Sequence, residues 1–189
     1  QSFEKLLEET PPANKGRLLF PWFIGERTPD LPHAVPVFWG FQLGDFSPSV
    51  LARSVLEGHV LNLYDGFQRM PVRPREIRLT GGLSKSDAWC QTISDIFGTE
   101  TVPLEGEGAA MGAAIHTAWV YHKKSDPAIN LGFLVDKFIS FIERRRKYPE
   151  NAATYSEIKK VYSEIRSRLI NNQNTIDVFK ISENLRNLN

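Results

Sequence analysis

The sequence predicts an α/β domain in which a sheet is flanked by helices. Three observations carry this reading. Residues 76–98 read as a strand, a glycine turn and a helix. Residues 99–119 repeat that order. Upstream, Ser47 and Pro48 open a long amphipathic helix, with serine as the N-cap and proline at the first helical position.

Each element follows from local chemistry. Residues 3–9 read as the end of a helix, which Pro11 and Pro12 break. The apolar run 17–24 (RLLFPWFI) reads as a buried strand, with Pro21 placing it near an edge or bend. Residues 25–36 hold three prolines and read as a loop. The helix from Pro48 is expected to run to about Met70, with Leu51, Val55, Leu61 and Tyr64 on its apolar face. Gly58 lies in its middle at a cost of about 1 kcal/mol against alanine, which predicts close packing there.

In the first repeat, Ile77 and Leu79 make a short strand that Gly81 and Gly82 stop. Ser84, Ser86 and Asp87 offer cap oxygens to a helix carrying Trp89, Ile93, Ile96 and Phe97. Gly98 stands where a left-handed terminal residue is wanted. In the second repeat, Gly106 and Gly108 make the turn. Gly108 and Gly112 then share a helix face, as do Ala109 and Ala113, which predicts a neighbouring backbone close by. Beyond the polar break at 123–126, residues 131–142 read as helical. A last helix opens at Pro149, with Tyr155, Ile158, Tyr162, Ile165 and Leu169 on one face. The asparagine-rich residues 171–189 read as a poorly ordered tail or a short final helix, leaving 1–170 as the domain.

Composition narrows the function. Hydrophobic residues are 41% and charged residues 24%, an ordinary globular balance. A net charge of +1 gives no support to nucleic-acid binding. Most of the positive charge lies late in the chain, in part at residues 144–147 (RRRK), which read as a solvated face. The longest apolar run is too short to cross a bilayer, and no signal peptide is recognisable. One cysteine, Cys90, precludes an internal disulfide and suits a reducing cytoplasm. One cysteine and four scattered histidines do not form a metal pattern. No G-x-S-x-G elbow and no G-x-x-x-x-G-K-[ST] loop is present, so Lys85 is not a P-loop lysine.

Two adjacent glycines between a strand and a helix have a physical use. Without a Cβ the backbone can approach a ligand, and the helix N-terminus favours an anion. The plainer reading is a tight turn alone, and the spacing by itself favours that one.

The order of motifs carries a resemblance. R-L-T-G-G-L-S-K-S-D-A-W-C-Q at 78–91, followed by E-G-E-G-A-A-M-G-A-A at 105–114, resembles the C-terminal domain of the FGGY family of carbohydrate kinases. G-E-R-T-P at 25–29 and L-A-R-S-V-L-E-G at 51–58 are similar to the same family. G-E-R-T-P followed by a Leu-Pro loop, and P-E-N-x-x-x-Y at 149–155, look most like its xylulose kinases. The resemblance implies a ribonuclease-H-like, actin-like ATPase fold and transfer of the ATP γ-phosphoryl group to a sugar hydroxyl, with ATP and Mg2+ as cofactors. It implies that Gly81, Gly82, Leu83, Ser84, Lys85 and Ser86 bind the adenosine end of ATP, with Ser86 at the adenine-contacting position. Leu83 stands where glycine is frequent in the family and would narrow the adenine slot.

The resemblance places the catalytic aspartate upstream of this chain, because Asp65, Asp87 and Asp95 lie on predicted helices outside the family's catalytic context. No catalytic residue is therefore assigned here. The chain begins at Gln1 and the resemblance begins mid-domain, so the expectation is the nucleotide-binding half of a longer cytoplasmic enzyme, inactive alone. Its partners would be a sugar, a nucleotide, the N-terminal domain of the same protein and, allowed by this reading, a second copy in a homodimer. No nucleic acid and no membrane are expected. Two other readings stay open. Gly106 to Gly112 fits G-x-G-x-x-x-G after a strand, a weak dinucleotide-binding (Rossmann-type) fingerprint. A noncatalytic nucleotide-sensing module of the actin-like class is the other.

Overall fold

The computed structural model describes residues 2–106 and 108–171 of the chain. The expected tail, 171–189, lies outside the described residues but for its first position, which closes the last helix.

Helix α1 (Phe3–Glu8) is capped by Ser2, whose hydroxyl accepts from the Lys5 N–H. After Pro11 the chain makes a turn that sequence alone does not announce. Ala13, Asn14 and Lys15 all take left-handed conformations, with φ of 63°, 44° and 54°. Each costs an L-residue about 1–2 kcal/mol, and buried hydrogen bonds offset part of this. The Ala13 N–H donates to Glu57 Oε1 at 2.9 Å and to the Tyr155 hydroxyl at 3.2 Å. Asn14 Nδ2 donates to Val50 O and Ser54 Oγ.

The strand expected at 17–24 is shorter. β1 (Leu18–Phe20) pairs antiparallel with β2 (Val37–Trp39), Leu19 opposite Phe38. Trp22 stays buried, while Phe23 and Ile24 turn outward. Helix α2 (Pro48–Phe67) has Ser47 as its N-cap, as expected. Its buried face differs from the apolar stripe: Arg53, Ser54, Glu57 and Gly58 are buried, and Val55 is exposed. Arg53 is buried because it donates to Leu7 O, Thr10 O and Thr10 Oγ1, tying α1 to α2.

β3 (Glu76–Leu79) and β4 (Glu100–Pro103) pair in parallel, Ile77 opposite Thr101. Helix α3 (Asp87–Phe97) connects them. Ser86 caps α3 by accepting from the Trp89 N–H, and Gly98 ends it at φ 64°. The two expected repeats thus share one β-α-β unit. Among the described residues the strands form two separate pairs, β1 with β2 and β3 with β4.

Helix α4 (Gly108–His122) is apolar but open. Only Ile115 is buried, and Gly112 has nothing within 4 Å of where a Cβ would stand. The expected close packing holds at Gly108, against Thr80, and not along the rest of the stripe. Helix α5 (Leu131–Phe138) is shorter than expected, because residues 139–147 leave it to bond along the outer edge of β4. Ile142 N donates to Pro103 O, Glu105 N to Ser140 O, and Thr101 and Lys147 exchange both backbone bonds. Helix α6 (Ala152–Asn171) then lays Tyr155, Tyr162 and Ile165 into the core. Buried Asp95 of α3 holds its entry by accepting from the Glu150 and Asn151 N–H groups and from Asn151 Nδ2. The core lies where β1, α2, α3 and α6 meet, around Phe20, Trp22, Leu56, Val60, Ile93 and Ile96. The Phe20 and Tyr162 rings stack at 4.4 Å.

Candidate nucleotide site

The β-α-β unit ends β3 at a turn whose shape is locally determined. Gly81 has φ 88°, a conformation that favours glycine. Ser84 closes the turn from within: its N–H and its hydroxyl both donate to Gly81 O, the latter at 2.7 Å. Ser84 is buried, whereas Leu83 and Lys85 are exposed. Ser86 Oγ already accepts the α3 cap bond, which leaves its hydroxyl hydrogen free to donate outward.

The second glycine turn stands opposite. Gly108 N donates to Thr80 Oγ1 at 3.0 Å, and a Cβ on Gly108 would lie 2.4 Å from the same atom. That contact locks the two turns together around a cavity of about 640 Å³. Thr80, Gly81, Gly82, Ser84 and Lys85 form one wall. Leu104, Gly106, Gly108 and Ala109 form the other, and Ile142 and Arg145 close one side. Position 107 lies outside the described residues. The two glycine motifs, rivals in sequence, therefore border a single site. After α4 the described chain supplies no further parallel strand, so the dinucleotide fingerprint lacks the second half of its fold.

Sequence reasoning did not find Thr80, Leu104, Ile142 or Arg145. Of the RRRK run, expected as a solvated face, Arg144 is exposed, while Arg145, Arg146 and Lys147 are half-buried in ion pairs. Arg145 Nε donates to Asp87 Oδ1 at 3.0 Å, and Lys147 Nζ lies 3.6 Å from the same oxygen. Arg146 bridges Glu76, Glu100 and Glu143, and the guanidinium holds the Glu76 and Glu143 carboxyls below their ordinary range.

A somewhat larger cavity, about 720 Å³, lies at the C-terminal ends of α2 and α3. Its lining holds one charged side chain, Arg73, and no glycine turn at a helix entry. The smaller cavity is lined by two positive side chains, Lys85 and Arg145, and by both glycine turns. None of the aspartates on α2 and α3 is free to serve as a base. Asp65 pairs with Arg69 and Arg166, Asp87 with Arg145 and Lys147, and Asp95 caps α6. Glu26 of the G-E-R-T-P loop is also committed. It accepts from the Arg27 and Thr28 N–H groups and from Asn62 Nδ2, pinning the loop to α2. Burial raises its pKa, but these bonds outweigh that and leave it lowered. Among the described residues no group of three or more His, Cys, Asp or Glu side chains could hold a metal ion, and no helix is long and apolar enough to cross a membrane.

A β-α-β unit with glycine turns around one pocket is what a nucleotide-binding kinase domain would present, and comparison with known proteins gives it a family. The C-terminal domain model of the FGGY family of carbohydrate kinases matches residues 1–121, and the chain belongs to that family. It is 32% identical over 153 residues to the xylulose kinase of Haemophilus influenzae, covering 79% of this chain and 30% of that protein. It is 30% identical over 177 residues to the gluconokinase of Bacillus licheniformis, covering 90% of this chain and 33% of that protein. The crystal structure of ligand-bound xylulose kinase from Lactobacillus acidophilus superposes with a TM-score of 0.75 at 26% identity, over 88% of this chain and 34% of that one. The fold is the actin-like, ribonuclease-H-like ATPase fold. The chain spans about a third of the length of the curated relatives it matches.

Proposed function

We propose that this chain is the ATP-binding half of a cytoplasmic sugar kinase, and that the cavity between its glycine turns holds the adenosine end of ATP. The observation that carries the reading is Gly82. Neither a left-handed backbone nor a packed neighbour asks for glycine there, since nothing lies within 4 Å of its absent Cβ. What the missing side chain does is open the backbone to the cavity. Gly81 shapes the turn, and Ser84 and Lys85 complete the rim. Leu83 and Ser86 are not among the lining residues and would meet the adenosine beyond the cavity wall.

The phosphoryl acceptor is proposed to be xylulose, as the G-E-R-T-P loop suggests, with gluconate the alternative offered by the second relative. The aspartate that would take the sugar hydroxyl proton belongs to the other half of the enzyme. Mg2+ would be carried on the phosphates and on side chains of that half. The domain is proposed to span residues 1–170; α5 and most of α6 extend it beyond the family match.

Titration calorimetry of the full-length protein tests the site. Gly82→Asp places a negative side chain in open space, so the fold should hold while ATP binding weakens more than tenfold. Losing a charged hydrogen bond alone costs about 1.5–3 kcal/mol. Unchanged ATP affinity in this variant would sink the reading. Gly108→Asp is no substitute, because its Cβ collides with Thr80. For the sugar, ADP release by the same protein should be faster with D-xylulose than with D-gluconate; the reverse order makes it a gluconokinase.

A further inference from the structure

Ile142 is an apolar side chain that the hydrophobic core does not use. It is half-buried, stands outside the core around Phe20 and Ile96, and lines the cavity between the glycine turns. Leu104, also half-buried and outside that core, lines the same cavity. Apart from Ala109, the other described lining residues are glycine, polar or charged, so the apolar surface gathers on the side where β4 ends. The backbone fixes both residues. Leu104 N donates to Leu79 O at 2.8 Å, and Ile142 N donates to Pro103 O at 2.9 Å. Three residues on, Arg145 Nε donates to Asp87 Oδ1 at 3.0 Å, which seats the segment at the entry of α3, beside Ser86. The wall at Gly81 and Gly82 carries no side chain. An apolar corner beside bare backbone suits a flat ring with apolar faces.

We infer that Ile142 packs on the purine ring of the nucleotide, with Leu104 continuing the apolar surface and the Gly81–Gly82 backbone bounding the ring on another side. This rests on the nucleotide reading of the cavity. It adds a base-contacting residue from outside both glycine motifs and beyond residues 1–121, the span of the family match. It also gives residues 139–147 a second task. By bonding along the edge of β4, that segment brings Ile142 to the site. The contact is made through carbon alone, so it holds the base and leaves the phosphates unaffected.

The test uses the full-length protein and follows displacement of a ribose-labelled fluorescent ATP analogue by ATP, ADP and adenosine. Ile142→Ser should weaken all three alike, by about tenfold. Ile142→Val, which removes one methylene, should weaken them by about fourfold or less. Melting temperatures of both variants separate a binding loss from a folding one. Photolabelling of the wild type with an azidoadenine analogue of ATP reads the same contact without a substitution, and should mark the peptide that holds residues 139–147. Affinities of Ile142→Ser equal to those of the wild type overturn the inference. So does a loss for ATP with adenosine unchanged, or a label absent from that peptide. If Gly82→Asp abolishes ATP binding while Ile142→Ser leaves it intact, only the Ile142 inference falls. If the wild type binds no ATP, both fall.

Discussion

Glu57→Ala is expected to lower stability by about 3 kcal/mol at pH 5, toward the low end of what emptying a core site costs. At that pH the buried carboxyl is protonated, and its removal costs hydrogen bonds and leaves a cavity. The residue is 1% exposed, and its Oε1 accepts from the Tyr155 hydroxyl at 2.6 Å and from the Ala13 N–H. Removing it strips the left-handed turn at Ala13 of its acceptor and leaves a hole between α2 and α6. Arg53, 3.7 Å away, keeps its bonds to Leu7 and Thr10, which is why the loss stays at the low end.

The same carboxyl should make the fold pH-sensitive. Burial pushes its pKa from the ordinary 4.5 up to about 7, against the pull of Tyr155, Arg53 and the Ala13 N–H. A carboxyl with a raised folded pKa stays protonated in the folded chain after the unfolded chain has lost its proton. Its stabilising contribution is full below pH 4.5 and is lost as pH rises to about 7. The loss amounts to roughly 3 kcal/mol, at about 1.4 kcal/mol for each pH unit between the two values. The carboxyls of Glu26, Asp45, Glu76 and Glu143 are shifted downward, so they act below this window and with the opposite sign. Urea unfolding across pH 4.5 to 8 should show the decline in the wild type and little of it in Glu57→Gln, a neutral isostere. A parallel decline in both proteins would show that another group titrates.

Gly58→Ala should cost about 2 kcal/mol, although alanine is the better helix former by about 1 kcal/mol. A Cβ there would lie 2.4 Å from Leu19 O and 3.2 Å from Leu19 C and Cβ. The nearest obstacle is strand backbone and cannot rotate away, so β1 would have to move off α2. Overpacking of this kind costs about 1–3 kcal/mol or more. The melting temperature should fall by about 4–8 °C for a chain of this size. Gly66, on the same helix, has nothing within 4 Å. Gly66→Ala should therefore gain a few tenths to 1 kcal/mol. A gain at both positions would mean that α2 and β1 are not in close contact.

These residues show where sequence stops being informative. The sequence by itself determined the features that depend on a few neighbouring residues. Ser47 and Ser86 cap their helices, Gly98 ends α3, and the strand–turn–helix order of 76–103 yields the parallel pair β3–β4. Caps, turns and periodicity are local, so a short window of residues contains their cause. The glycine turn Gly81–Gly82 was legible for the same reason. Only the tertiary structure decided which distant groups meet. Thr80 joins the Gly81 and Gly108 turns into one cavity, and Arg145 arrives beside Asp87. Arg53 and Glu57 are buried inside α2 because Leu7, Thr10, Ala13 and Tyr155 come to satisfy them. Hydropathy assigns such charges to solvent, because the partners that make their burial affordable lie 43 to 98 residues away along the chain.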